Sequence, residues 1–189
     1  GIFAALELSE STKLRILLLE KGRELNLRRC PIIGKNRSCP PCTPCDLVSG
    51  WGGAGAFSDG KLTSSPQVGG QLEAYLGAKK AAKLIHYVDE IYLNFGASKE
   101  VYGTGVEAEQ LGRKAEKAGL RLIPVPIRHM GTESCREVLK DMHQFLADRI
   151  ESQTDTAATS IIRQDGKVKG IQTDDGRRIE ARYLIIAPG

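Results

Sequence analysis

Long apolar runs are missing from this sequence. None approaches the roughly 18 residues that a membrane-spanning helix requires, so no helical span is expected. No signal peptide is visible. No block of charge of one sign occurs either. The 27 Lys and Arg are interspersed with 23 Asp and Glu, and the net charge is +4, which gives a nucleic-acid surface little support. There is no internal repeat and no low-complexity tract. A Walker phosphate loop is also absent, because Lys61 is followed by Leu62 where Ser or Thr would be needed.

What is present fits a soluble globular protein, with 41% hydrophobic residues and a mean hydropathy of −0.25. A length of 189 residues suits one domain or one and a half. There are five Cys, four of them within residues 30–45, and no secretory signs accompany them. That combination favours reduced thiols or a metal over a disulfide framework.

Residues 2–11 read as an apolar helical start, with Ile2, Phe3, Ala5, Leu6 and Leu8. Leu14 to Leu19, broken only by Arg15, suits a buried parallel strand that ends in Glu20. Residues 21–50 are rich in Cys, Pro, Arg and Gly, show no period, and read as a loop or small subdomain. Seven glycines in residues 50–70 mark a segment shaped by its backbone.

The middle is helical. Leu72, Leu76, Ile85, Val88, Ile91, Tyr92 and Phe95 fall mostly at three- and four-residue spacings, and Gly96 ends the pattern. A second helix is expected from Val106 to Ala118, stopped by Gly119. Leu120 to Ile127 is extended, with prolines that suit an edge or a loop-like strand. Thr132 or Ser134 starts another helix, Ser134 and Glu137 making a capping box, with Val138, Leu139, Met142, Phe145, Leu146 and Ile150 as its buried face. The tail predicts strands over Ala158–Arg163, Val168–Thr173 and Arg178–Ala181. Asp165-Gly166 and Asp175-Gly176 turn between them, and a closing buried strand follows at Tyr183–Ala187.

Three pieces carry chemistry. Gly1, a helix, an apolar strand and Glu20 follow one another in the order of a dinucleotide-binding βαβ unit cut at the last glycine of its fingerprint, the acid standing 19 residues after the glycine. In that unit the glycine lets the helix pack on the strand and the helix N-terminus faces a pyrophosphate. The acid accepts hydrogen bonds from a ribose hydroxyl and disfavours a 2′-phosphate. An ordinary αβ unit ending in a surface Glu is the plainer reading of this piece alone. The second piece is Gly50-Trp51-Gly52-Gly53-Ala54-Gly55-Ala56-Phe57-Ser58-Asp59-Gly60-Lys61-Leu62. Its small residues let backbone N–H groups approach an anion or a flat ring, while Ser58 and Asp59 add side-chain hydrogen bonds. A flexible linker would not need Trp51, Phe57 and Leu62. The third piece is the run from Tyr183 into Ala187-Pro188-Gly189, which sets backbone beside a cofactor at the carboxyl edge of a sheet.

In this order the three pieces resemble the FAD-dependent two-dinucleotide-fold flavoproteins. Gly1 matches the final glycine of their G-x-G-x-x-G and Glu20 their ribose-binding acid. Ala187-Pro188-Gly189 is similar to their Ala-Thr-Gly motif, with Pro188 in place of Thr. The stretch from Gly52 to Leu62, and Arg128-His129-Met130-Gly131-Thr132 in the middle, narrow the resemblance to the bacterial FAD-dependent dehydrogenases (NAD(P)/FAD-dependent oxidoreductases). The resemblance implies an α/β, Rossmann-like FAD-binding fold with a parallel sheet, a β-meander and an inserted helical segment, truncated at both ends. Residues 1–70 would be the first part of the FAD-binding domain without its first strand. Residues 71–150 would be the mostly helical insertion, and residues 151–189 the return. A strand with G-x-G-x-x directly before Gly1 would confirm this register.

The resemblance also implies the contacts. Gly1, Glu20 and Lys21 would serve the phosphate and ribose side. Gly52, Gly53, Ala54, Gly55, Ser58, Asp59, Gly60 and Lys61 would line the flavin side. Ala158 would offer backbone groups near adenine, and Ala187, Pro188 and Gly189 would complete the edge. FAD would carry out hydride or electron transfer on an unassigned substrate, with NAD(P)H as a candidate electron donor, in the cytoplasm. An NAD-binding dehydrogenase explains Gly1 and Glu20 but not the glycine loop.

The cysteines leave several readings open. Cys39, Cys42 and Cys45 make two overlapping C-x-x-C pairs, with Cys30 upstream and Cys135 far downstream. That spacing suits an Fe–S or Zn site, and so a cysteine-cluster metal-binding or electron-transfer module. It suits equally a redox dithiol, or plain thiols in a Pro-stiffened loop, so no metal ligand is assigned. His129 is a candidate proton donor or anion ligand beside Arg128, or simply a histidine at a helix entrance. His86 and His143 sit within helices and read as structural or solvent-facing.

Overall fold

In the computed structural model, which describes residues 1–188, the apolar start of the chain forms helix α1 (Ile2–Ser11) and buries Ala5 and Leu6. Thr12 closes the helix: its backbone turns extended, and its hydroxyl donates to the Leu8 carbonyl at 2.8 Å. The following apolar run becomes strand β1 only over Leu17–Leu19, because Leu14 and Arg15 remain exposed. β1 pairs in parallel with β4 (Glu151–Gln153), Leu18 opposite Ser152, and the Glu20 N–H extends the ladder to the Gln153 carbonyl at 2.9 Å. Both strands therefore end on the same edge of a small parallel sheet. The architecture is mixed α/β.

The chain divides into two compact units, Gly1–Phe57 with Leu139–Gly189, and Ser58–Val138. The first also holds the antiparallel meander β5 (Ala158–Gln164), β6 (Lys167–Thr173) and β7 (Arg178–Glu180). Asp165 and Gly166 turn between β5 and β6, both with positive φ (51° and 72°), as a two-residue hairpin with right-handed strand twist requires. Ile171 and Thr173 are the buried positions of β6 together with Gly170, while Met142 and Leu146 are fully buried in the same unit. Truncating either of the latter to Ala removes about 2–5 kcal/mol.

The second unit contains α2 (Leu72–Leu76), α3 (Ala78–Asn94), α4 (Val106–Lys117), and an antiparallel pair of β2 (Lys61–Thr63) with β3 (Ile127–His129). α4 begins with Glu107 and Glu109 and ends with Lys114 and Lys117, the distribution that complements the helix dipole. Gly112 is tolerated inside it, where an added Cβ would meet only Leu122 at 3.8 Å. Helix α5 (Thr132–Ala147) begins in the second unit and ends in the first. Its buried residues, Cys135, Val138, Leu139, Met142 and Leu146, repeat at helical spacing. Among the described residues no helix is long and apolar enough to cross a membrane.

Three expectations differ. Tyr183–Ala187 forms no strand, and Tyr183, Ile185 and Ile186 are 74%, 59% and 66% exposed. A strand needs a neighbour for its backbone groups, and among the described residues the parallel sheet consists of β1 and β4 alone. Leu120–Pro126 stays irregular, with strand geometry starting at Ile127, beyond the second proline, since Pro donates nothing to a ladder. The capping box at Ser134 and Glu137 is displaced, because α5 already starts at Thr132 and Ser134 falls inside its first turn.

Candidate cofactor site

In the first unit, the site is built around the end of β1. The backbone turns sharply after Glu20, and the Glu20 Oε1 accepts the N–H of Gly22 at 2.8 Å and of Gly50 at 2.9 Å. One carboxylate oxygen thus joins two loops distant in sequence. The Glu20 carbonyl accepts from Thr156 N–H, and the Gly22 carbonyl from Asp155 N–H, which fixes the segment after β4 to the same edge. Gly50 has φ +114°, and a Cβ there would sit 2.5 Å from the Arg23 carbonyl oxygen and 2.6 Å from Arg28 Cδ. Only glycine fits this crossing.

Arg28 and Trp51 hold the loops from beneath. Arg28, 2% exposed, donates from Nε to the Asp46 carbonyl at 2.9 Å and from Nη1 to the Trp51 carbonyl at 2.7 Å, with its guanidinium 4.9 Å from the Phe57 ring centre. Trp51 is equally buried. Its Nε1–H donates to the Leu139 carbonyl at 2.8 Å, and His143 stands edge-on with ring centres 4.5 Å apart. The aromatic anchor read from the sequence is real, and His143 supports it. Gly52 follows with φ +83°, leaving no room for a Cβ, which would lie 2.5 Å from Leu139 Cδ1. Its smallness serves packing. Gly53, Ala54 and Gly55 run on in a 3₁₀ turn (Gly53–Phe57), with open space where a Cβ at Gly53 or Gly55 would stand.

Gly1 caps α1 and lies near Glu20. A Cβ at Gly1 would meet Leu18 Cδ1 at 3.6 Å, an ordinary contact, so the helix-on-strand approach is looser than the fingerprint role requires. Lys21 is exposed. Ala158 opens β5 opposite Thr173 and is exposed, as are Ala187 and Pro188, which belong to no element. Gly189 lies outside the described residues.

The remaining predicted residues belong to the second unit. Ser58 Oγ accepts the Gly60 N–H at 3.1 Å, and the Asp59 and Gly60 carbonyls accept from Gly131 and Met130. Lys61 Nζ lies 2.6 Å from Asp59 Oδ2, both side chains more than half exposed. Lys61 pairs with His129 across β2 and β3. The hydrogen bond from Lys61, with smaller contributions from the Lys61 and His129 charges, holds the Asp59 carboxyl below its ordinary pKa. Asp59, Lys61 and His129 therefore form an open ionic cluster. Arg128 does not join it. Its side chain is buried and donates to both Asp89 oxygens at 2.8 Å, which keeps Asp89 ionised and commits Arg128 to Asp89.

None of the five cysteines forms a disulfide. Among the described residues no group of three or more His, Cys, Asp or Glu is arranged to hold a metal ion. The structure thus brings Gly1 and Glu20 together in one unit, and Ser58, Asp59, Gly60 and Lys61 together in the other. Sequence reasoning missed Gly22, Gly50, Arg28 and Thr156 as members of the Glu20 network. Two isolated glycines and an arginine in an aperiodic loop give no pattern, and only Gly50, adjoining the Trp51 anchor, carried a hint.

No family model matches the chain, and no curated protein matches it. Solved structures do. The chain is similar to the 3-ketosteroid-Δ4-(5α)-dehydrogenase of Rhodococcus jostii RHA1, with 14% identity and a TM-score of 0.57 over 96% of this chain and 42% of that one. Looser similarity links it to L-amino acid deaminases. That of Proteus vulgaris without its specific insertion gives 16% identity and a TM-score of 0.47, over 100% of this chain and 50% of the other. That of Proteus myxofaciens gives 14% and 0.39, over 96% and 41%. The chain spans no more than half the length of any of the three. The likeness to the dehydrogenase concerns the fold, and the two deaminase matches are too loose to argue from.

Proposed function

We propose that this chain is part of an FAD-dependent oxidoreductase, a dehydrogenase, whose adenosine ribose is bound at Glu20. The observation that carries the reading is the placement of Glu20. It ends a parallel strand directly behind α1, close to the helix N-terminus, with one carboxylate oxygen organising the Gly22 and Gly50 backbone. Its second oxygen receives no hydrogen bond among the described residues. An acceptor of that kind beside a helix N-terminus suits a ribose hydroxyl next to a phosphate. The fold shared with a steroid dehydrogenase supports the same reading.

The residues present fit the cofactor. Glu20 would bind the ribose, the α1 N-terminus at Gly1 would face the pyrophosphate, and the open backbone at Gly53 and Gly55 would admit a flat ring. Lys21, Ala54, Ser58, Asp59, Gly60, Lys61, Ala158, Ala187, Pro188 and Gly189 complete the proposed set, and a cytoplasmic setting suits the free thiols. When bound, FAD supplies hydride or electron transfer. NAD(P)H is proposed as electron donor, and the substrate is unassigned.

Absorbance of the purified complete protein tests the proposal. Paired flavin bands support it, and a colourless protein that takes up no FAD would sink it. Glu20→Gln keeps an acceptor for the two glycine N–H groups but loses the charge-assisted bond. It should bind FAD about tenfold more weakly with unchanged circular dichroism. Unaltered affinity would remove Glu20 from the site. A protein that binds NAD without flavin would favour the rival dehydrogenase reading.

A further inference from the structure

Four of the five thiols stand apart from the Glu20 network, in a loop with neither helix nor strand. Its residues 33–44 are all exposed. So long a stretch without a core is uncommon inside a folded unit, and such stretches are usually functional or cross-linked. The base of the loop is fixed. Asp46 accepts the Arg29 N–H on Oδ2 at 3.1 Å and Arg28 Nε–H on its carbonyl, and the Cys45 carbonyl accepts from Val48 and Ser49. Cys30 and Cys45, both half-buried, stand at this base, next to Arg29 and Asp46 respectively.

Cys39 and Cys42 are different. Both are exposed at the far part of the loop, two prolines apart. The Cys42 N–H donates back to the Pro40 carbonyl at 2.8 Å, so the chain folds tightly between them. Pro40 and Pro41 fix two φ angles and leave few conformers between the thiols. No three cysteines gather with other ligands among the described residues, so the geometry favours pairwise chemistry over a metal centre.

We propose that Cys39 and Cys42 form a thiol–disulfide exchange site whose co-reactant is a low-molecular-weight disulfide. The thiolate of one cysteine attacks a sulfur of that disulfide. The S–S bond breaks, and one small thiol leaves with a proton. The second cysteine then attacks the protein sulfur of the mixed disulfide, forming the Cys39–Cys42 bond and releasing the second small thiol. The cysteine pair loses two electrons and two protons, and the small disulfide gains both. Excess thiol reverses the reaction. The proposal is independent of the flavin reading.

The test uses the full chain, reduced, exposed to glutathione disulfide, then alkylated and digested with trypsin. Cys39, Cys42 and Cys45 share one tryptic peptide, residues 38–61, while Cys30 falls in residues 30–35. The expected product is a 38–61 peptide lighter by two hydrogens, alkylated only at Cys45, with Cys30 alkylated. Cys42→Ser should stop at a mixed disulfide on Cys39, and Cys45→Ser should leave the product unchanged. Buried Cys135 should react about tenfold or more slowly. A cross-link joining the two peptides would overturn the proposal. So would glutathione adducts without an internal bond in the unsubstituted chain. Zinc or iron that copurifies and shields the thiols until chelation would overturn it in favour of a metal centre.

Discussion

Glu20 follows one short strand and Asp59 precedes another, and both were picked out by the same resemblance, yet they are held in opposite ways. Glu20, half-buried, spends one oxygen on two backbone N–H groups and so fixes the crossing of two loops. Asp59 stands in water against Lys61 and fixes nothing but its partner. An acid bonded to backbone shapes a site even when empty. An exposed ion pair is worth little to folding but leaves both charges free to meet a ligand. Within the first unit the role of Glu20 is therefore architectural, and within the second unit that of Asp59 is ionic.

The widest test of that contrast is Gly50→Ala. Positive φ and the collision with Arg23 and Arg28 together should remove about 3 kcal/mol or more, seen as a lowered urea midpoint. A loss below about 1 kcal/mol would mean that the crossing relaxes freely and that Glu20 organises little. Next in size is Glu20→Ala, which strands two backbone donors and should cost about 1–3 kcal/mol, whereas Glu20→Gln should cost less. Equal losses in both variants would show that charge rather than hydrogen bonding holds the loops.

The smallest effect belongs to Asp59. Its folded pKa is depressed, so any stability that it contributes is present above the unfolded value near about 3.9 and fades as pH falls through the lower folded value. Asp59→Asn should therefore lie slightly below the unsubstituted protein from neutral pH down to about 5, and the small gap should close below about 4. Carboxyl NMR gives the direct reading. Asp175, bonded by the Thr173 hydroxyl and by Arg177, should titrate at about 2 and serve as the reference. An Asp59 that titrates at or above the ordinary value would dissolve the pairing with Lys61.

Much of the fold was legible because local pattern and tertiary environment agree. α1, α3, α4, α5 and the meander with its Asp-Gly turns lie within a few residues of where periodicity and turn chemistry put them. Trp51 was legible as an anchor because a large ring among glycines has to be buried somewhere. Tyr183–Ala187 was misread for the opposite reason. Its composition resembles that of Leu14–Leu19, but β1 is a strand because β4 lies beside it, and no local pattern encodes a neighbour. Arg128 shows the same limit: in sequence it adjoins His129, and in space it belongs to Asp89 on α3.

The burial of Trp51 has an optical consequence. It is the chain's one tryptophan, so all indole emission comes from the buried residue next to Gly50. Loosening of that crossing would expose the ring and shift its emission to the red. The protein thus holds an intrinsic reporter at the point where Glu20 ties its loops together, readable without a label.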